Sequence, residues 1–215
     1  ENIRFFEGEK ANCQSLGKDL ASLGDIYVFD AFGTAHREQA STHAAIENAS
    51  IACAGLLLEK ENEFLTKALD NYQRPYIAII GGAKVSTKLE LIKYINTVAD
   101  KIIVGGGIAN TFIKAAGLNI GKSLVEDSMI DIAKDILDHG KIILPNIVVT
   151  SKSFEGDDIK EKSVTDISGE EMILDLYLED ETLKVINEAK TILWNGPIGV
   201  FENDKFEKGT KELSQ

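Results

Sequence analysis

The chain has 215 residues, 44% of them hydrophobic and 27% charged, enough for one large domain or one plus part of another. Its formal net charge of −12 excludes a general nucleic-acid or anionic-membrane footprint, but not a local phosphate site made of a few lysines and backbone N–H groups. No stretch approaches the ~20 apolar residues that span a bilayer, and the opening ENIRFFEGEK has neither a basic n-region nor an apolar h-region, so a soluble, intracellular protein is expected.

In chain order, NIRFF (2–6) reads as a strand and 11–23 as a helix. IYVFDAF (26–32) reads as a buried strand running into polar GTAHREQAST. A long helix is expected over 56–72, with apolar positions 57, 58, 64, 65, 68, 69 and 72 at helical spacing, ended by Arg74-Pro75. From there short β-branched runs alternate with amphipathic stretches. The runs are 76–80, 101–105, 141–150, 171–176 and 191–195; the helices are 86–98, 108–116, 127–138 and 180–190. Asp127-Ser128 and Asp180 are expected N-caps, and Gly117 and Gly140 C-terminal stops. This alternation predicts an α/β fold, a mostly parallel sheet with helices on both faces. Cys13 and Cys53 lack metal or redox spacing and read as small buried hydrophobes, while His36, His43 and His139 are too scattered for a metal cluster.

Three predicted strands end in glycine-rich turns: Gly81-Gly82-Ala83-Lys84, Gly105-Gly106-Gly107 and Asn195-Gly196-Pro197-Ile198-Gly199. In an open parallel sheet these ends share one edge, where ligands bind. Two of the turns lead into helices whose N-termini attract anions, and Lys84 and Lys88 add positive charge at i and i+4. The stretch reads as a phosphate cradle. The standard fingerprints fail, however. Gly105–Asn110 has Asn110 where G-x-G-x-x-G needs glycine, which disfavours an NAD-dependent oxidoreductase. Gly117–Ser123 has one residue too few for a P-loop and reads as a solvated loop. Arg4, inside the expected first strand, is either a structural ion pair or a fork for an anionic substrate, and His36-Arg37 follow the second strand.

Five stretches, ENIRFFEGEKAN, VFDAFGTAHR with the Ser-Thr after it, IIGGAKVSTKLELI, IVGGGIANTFIKAAG and ILWNGPIGVFE, together resemble phosphoglycerate kinase, in that family's order and spacing and across essentially the whole chain. The resemblance implies two α/β units, incomplete at both ends. Residues 1–55 would be the C-terminal part of the phosphoglycerate-binding domain, 56–72 the connecting helix and 73–215 most of the nucleotide-binding domain. It implies reversible phosphoryl transfer between 1,3-bisphosphoglycerate and ADP, giving 3-phosphoglycerate and ATP in glycolysis, by a cytoplasmic monomer acting on small molecules without nucleic acid or membrane.

By the same resemblance Lys88 touches the transferring phosphoryl group, and Lys84 holds nucleotide phosphates beside the Gly82-Ala83 backbone. Gly106 and Gly107 line the adenine pocket. Asn195 lies near the phosphates, Pro197, Gly199 and Val200 shape the pocket, and Glu202 takes the ribose hydroxyls. Arg4, His36 and Arg37 belong to the acid-substrate patch. Mg²⁺ arrives with ADP or ATP, its protein ligand falling beyond Gln215. Tyr177-Leu178 stands where the family has Gly-Pro. The family's early loop of substrate ligands and its late glycine-rich loop have no counterpart in the sequence, so the isolated chain is expected to be inactive; the alternative for it is a non-catalytic ADP/ATP-binding module.

Overall fold

A computed structural model describes residues 2–215. The chain divides into two compact units, Glu1–Asn71 and Tyr72–Gln215. The first contains α1 (Gln14–Ala21), β1 (Tyr27–Phe29), α2 (Ala45–Asn48), β2 (Ala52–Ala54) and α3 (Leu56–Leu69). β1 and β2 pair in parallel, Val28 opposite Cys53. Asp30, just past β1, accepts the Leu58 N–H at 2.7 Å and so satisfies a donor in the first turn of α3. Glu9 is buried and accepts both the Ser41 N–H (3.0 Å) and hydroxyl (2.6 Å), while the Tyr27 hydroxyl donates to the Ser41 carbonyl (2.7 Å). These bonds fix the turn that leads into α2.

Three expectations for this unit are corrected. NIRFF is not a strand: Ile3–Phe5 is a single 3₁₀ turn, capped by the Asn2 side chain accepting the Arg4 N–H. Arg4 is therefore exposed, and the cost of burying its charge does not arise. β1 is short and half open, with Val28 54% exposed. Neither cysteine is fully buried, Cys13 being partly buried and Cys53 exposed.

The second unit runs β3 (Tyr76–Ile80), α4 (Leu89–Val98), β4 (Lys101–Val104), α5 (Gly106–Ala115), α6 (Ile130–Leu137), β5 (Ile142–Ile143), β6 (Ile147–Ser151), β7 (Lys160–Ser163), β8 (Met172–Leu176), α7 (Asp180–Asn187), β9 (Thr191–Asn195) and α8 (Lys208–Leu213). Four strands form a parallel sheet in the order β5-β4-β3-β9. Every residue of β3 is buried, as a central parallel strand with both faces covered requires. Each isoleucine so buried contributes roughly 1.5–3 kcal/mol of transfer free energy. α4 covers the sheet with Ile92 and Ile95, and α5 is buried over most of its length.

The expected single parallel sheet is split. β6 and β8 leave it and pair antiparallel with β7 in a second sheet, order β7-β6-β8. The P-loop-like segment is not merely a solvated loop, for it joins the two layers. The buried Ser123 hydroxyl accepts the Ile173 N–H at 2.8 Å, the Lys122 N–H donates to the Glu171 carbonyl at 2.7 Å, and the Lys122 amine pairs with Glu170. The helix stops hold, Gly117 and Gly140 both having positive φ. The N-caps do not. Asp127 instead pairs with Lys114 at 2.6 Å, and α7 begins after Glu179 with no side-chain cap.

Two buried carboxylates tie this layer together. Glu171 accepts both the Lys162 amine (2.8 and 2.9 Å) and the Ser168 N–H (3.0 Å), and these donors, Lys162 first, pull its pKa down to about 2. Asp175 on β8, 1% exposed, accepts the Gly209 N–H of α8 (2.8 Å) and the Leu176 N–H (2.9 Å). Burial nevertheless outweighs those donors and pushes its pKa up to about 6.

The two groups act in opposite pH windows. Asp175 binds a proton more readily folded than unfolded, so its contribution is full below about pH 4 and is lost as pH rises through about 6. Glu171 contributes fully above about pH 4.5 and loses its contribution as pH falls toward 2. Urea midpoints measured from pH 7 down to 3 are expected to rise and then fall. Asp175→Asn should flatten the rise, and Glu171→Gln should remove the steepest part of the fall. An unchanged curve shape in either variant would contradict the assignment.

Candidate functional site

The carboxyl ends of β3, β4 and β9 meet backbone to backbone. The Gly81 N–H donates to the Asn195 carbonyl at 3.0 Å, and the Gly105 N–H to Ile80 at 3.0 Å. A Cβ at Gly81 would stand 1.8 Å from the Pro197 carbonyl oxygen, and one at Gly107 2.2 Å from that of Ala83. No side chain fits at either position, which is the physical demand behind those two glycines. The β8 wall and the turn after β9 then enclose, with these turns, a cavity of about 310 Å³, at the lower end of the range for small-molecule sites.

Of the residues expected from the sequence, Gly82, Ala83, Gly106 and Gly107 line this cavity from one side. Pro197, Gly199, Val200 and Glu202 line it from the other. Lys88 and Asn195 sit beside the cavity rather than in its lining. The Lys88 amine donates to the Gly81 carbonyl (2.6 Å), the Asn195 carbonyl (3.1 Å) and the Asn195 side-chain oxygen. A Cβ at Gly82 would lie 3.3 Å from this amine, so the cation stands beside the cavity floor. Its partners are all neutral oxygens, which leaves the positive charge uncompensated, and burial lowers its pKa. Lys84 is exposed at the turn and takes no part in the lining.

Arg4, His36 and Arg37 lie in the first unit. Arg4 and His36 are exposed and Arg37 is half-buried, its N–H donating to the Thr34 carbonyl at 3.0 Å. Among the described residues no ion pair forms to either arginine.

The expectation that helix N-termini offer free anion donors needs correction. The chain itself uses several of those groups. In α5 the Gly106 N–H donates to the Ile198 carbonyl (2.9 Å) and the Ile108 N–H to that of Gly82 (3.1 Å). Ahead of α4, the Ser86 N–H (2.8 Å) and hydroxyl both donate to the Glu126 carboxylate, whose pKa they lower, the hydroxyl most. An acidic side chain of the protein occupies the end that dipole arguments assign to an anion.

The sequence reading missed much of the wall: Asn110, Leu124 and Phe154, and the β8 residues Met172–Leu176. Phe154 belongs to the β6–β7 hairpin loop. Its carbonyl accepts the Asn203 side-chain amide (2.8 Å), and Asp157 of the same loop pairs with Lys205 (2.5 Å). In the sequence Asn110 stands out only for spoiling a glycine motif, although Asn110 and Thr111 amid the otherwise apolar stretch from Ile108 to Ile113 were a usable signal. Tyr177-Leu178, the departure from the family pattern, falls outside the lining: Leu178 is buried, and the Tyr177 ring receives the Lys208 amine at 4.6 Å. The site as a whole is an apolar slot floored by glycine backbone, with a partly buried cation beside that floor. Such a shape suits a flat ring system that carries an anionic group.

The model of the family described as phosphoglycerate kinase matches residues 1–215. A curated phosphoglycerate kinase of Vibrio campbellii is 50% identical over 218 residues, covering 100% of this chain and 56% of the relative. The solved structure of phosphoglycerate kinase from Coxiella burnetii is 43% identical with a TM-score of 0.81, covering 100% of this chain and 57% of that one. The crystal structure of phosphoglycerate kinase from Pyrococcus horikoshii is 30% identical with a TM-score of 0.82, at 99% and 57% coverage. The chain spans a little over half the length of these relatives. With the whole sequence matched by one family and the α/β architecture shared with its solved members, the chain belongs to the phosphoglycerate kinase family.

Proposed function

We propose that the second unit of this chain is the nucleotide-binding part of a phosphoglycerate kinase, a cytoplasmic, monomeric glycolytic enzyme that transfers a phosphoryl group between 1,3-bisphosphoglycerate and ADP. The observation that carries this reading is the glycine-floored cavity with Lys88 against its floor. On this reading the base enters the apolar slot, Glu202 at the rim takes the ribose hydroxyls, and the phosphates run toward Lys84, Lys88 and Asn195. Lys88 has the chemistry for its role. Its three ammonium donors engage neutral oxygens, so an anion gains the full charge by displacing one of them, Asn195 being the flexible partner. In-line phosphoryl transfer needs little covalent chemistry from the protein. It needs donor and acceptor aligned, and charge matched where it accumulates.

The first unit would contribute Arg4, His36 and Arg37 to the acid substrate, with α3 as the connection between domains. Two features support the arginines in this role: they carry delocalised, permanently charged forks suited to carboxylate and phosphate, and no carboxylate of the described residues holds them. Mg²⁺ would be supplied with the nucleotide phosphates. Among the described residues no cluster of three or more carboxylates, histidines and cysteines is placed to hold a metal ion. None of the described helices is long and apolar enough to cross a membrane.

ADP titrated into the 215-residue chain is expected to shift backbone amide resonances at 81–84, 105–107 and 195–202. Shifts confined to residues 1–40 would refute the site. Two substitutions are informative in a protein of the relatives' full length that carries this sequence. Lys88→Ala should lower kcat by on the order of 10²-fold or more, with a smaller change in the KM for ADP, because its charge is needed where negative charge sits during transfer. A normal kcat with only a raised KM would make it a ground-state contact. Arg37→Ala should raise the KM for the acid substrate and leave that for nucleotide nearly unchanged; equal effects on both would indicate a structural role instead.

A further inference from the structure

Asn110 occupies an unusual place for an amide. It is 2% exposed, on α5, flanked by the fully buried Ile108, Ala109, Phe112 and Ile113, and it lines the cavity one turn beyond Gly106 and Gly107. Its side-chain nitrogen donates to the Leu124 carbonyl at 3.1 Å. A carbonyl can only accept, so the NH₂ must face Leu124 and the orientation of the amide is fixed by chemistry. That leaves Oδ1 buried and without a donor. Buried acceptors are nearly always satisfied, and an exception calls for a reason. The other polar groups nearby have theirs: the Asp175 oxygens accept the Gly209 and Leu176 N–H groups, and the Thr111 hydroxyl donates to the Gly107 carbonyl at 3.0 Å. A leucine at position 110 would fill the same volume with no unmet acceptor.

We propose that Asn110 is a base-specificity residue: its Oδ1 accepts a hydrogen bond from the exocyclic amino group of a 6-aminopurine held in the cavity. The inference rests on the nucleotide reading above and goes beyond it by naming the atom that reads the base edge. The amide is held by Leu124, itself a cavity residue, which leaves its unpartnered acceptor in the wall of the cavity. The oxygen is closed to water as the wall stands, so forming the bond requires a small turn of the side chain, with Leu124 still accepting from the NH₂, as the ring enters. Water makes no competing bond there, and the site therefore discriminates against a ring that offers no donor, whose entry leaves the acceptor unpaired.

The test is calorimetric titration of the chain with ADP and with purine riboside 5′-diphosphate, which carries hydrogen in place of the amino group. The wild-type chain is expected to bind ADP about tenfold more tightly than the analogue. Asn110→Leu should bind the two alike, mainly through weaker ADP binding. Equal affinity of the wild-type chain for both ligands overturns the proposal, as does a tenfold preference that survives in Asn110→Leu. If that variant does not fold, the wild-type comparison alone decides. Binding of neither ligand overturns the nucleotide reading itself, whereas equal binding of both sinks only the role of Asn110.

Discussion

The second unit depends on one contact: the backbone of the turn after β3 lies against the backbone of the turn after β9, with Gly81 meeting Pro197 where even a methyl group has no room. The hydrogen bond from Gly81 to the Asn195 carbonyl extends the β3–β9 ladder past the end of the strands. Any side chain at Gly81 would pry the two turns apart. The cavity floor, the position of Ile198 and the carbonyls that hold Lys88 would then move together, because all three hang on those turns. A packing constraint that involves no side chain at one partner thus sets the geometry of a polar site.

The electrostatics follow from the same crowding. Parallel strands that end together deliver several carbonyls and helix starts to one edge, and the chain spends part of that polarity on itself. Two N–H groups of α5 go to Ile198 and Gly82, and the start of the 86–98 helical segment goes to Glu126. What remains open is positive charge on a side chain, Lys88, surrounded by neutral oxygens. A site built this way is held together before any ligand arrives and still attracts an anion, because neutral acceptors satisfy hydrogen-bond geometry without cancelling charge.

The legible part of the fold was the part with a strong period. β3, β4 and β9 are runs of β-branched residues broken by glycine, and their bounds match the sequence reading within a residue. The glycine turns were legible for the same reason. The antiparallel sheet was not, since β6 and β8 are apolar runs indistinguishable from parallel core strands. β7, Lys-Glu-Lys-Ser, carries no apolar signal at all and is held by its neighbour β6 and by the Lys162–Glu171 pair. NIRFF failed because three apolar residues in five favour a strand only when a partner strand is present, and locally the Asn2 cap won. In the site, the glycines that let backbone approach backbone were readable one by one. The cavity wall was assembled from β8, the β6–β7 loop and α5, elements far apart in sequence, and no local pattern announces such a meeting.

The turn after β9 also carries Trp194, the chain's only tryptophan. Its ring is 41% exposed, and its indole N–H donates to the Gly196 carbonyl at 2.7 Å, in the turn that borders the cavity. The molecule therefore contains its own optical reporter, placed where the β3 and β9 turns touch. Emission excited at the red edge of the protein absorption band comes from that one location, free of signal from elsewhere in the chain. Any event that lengthens the indole hydrogen bond or changes the wetting of that ring registers as a spectral shift without a label.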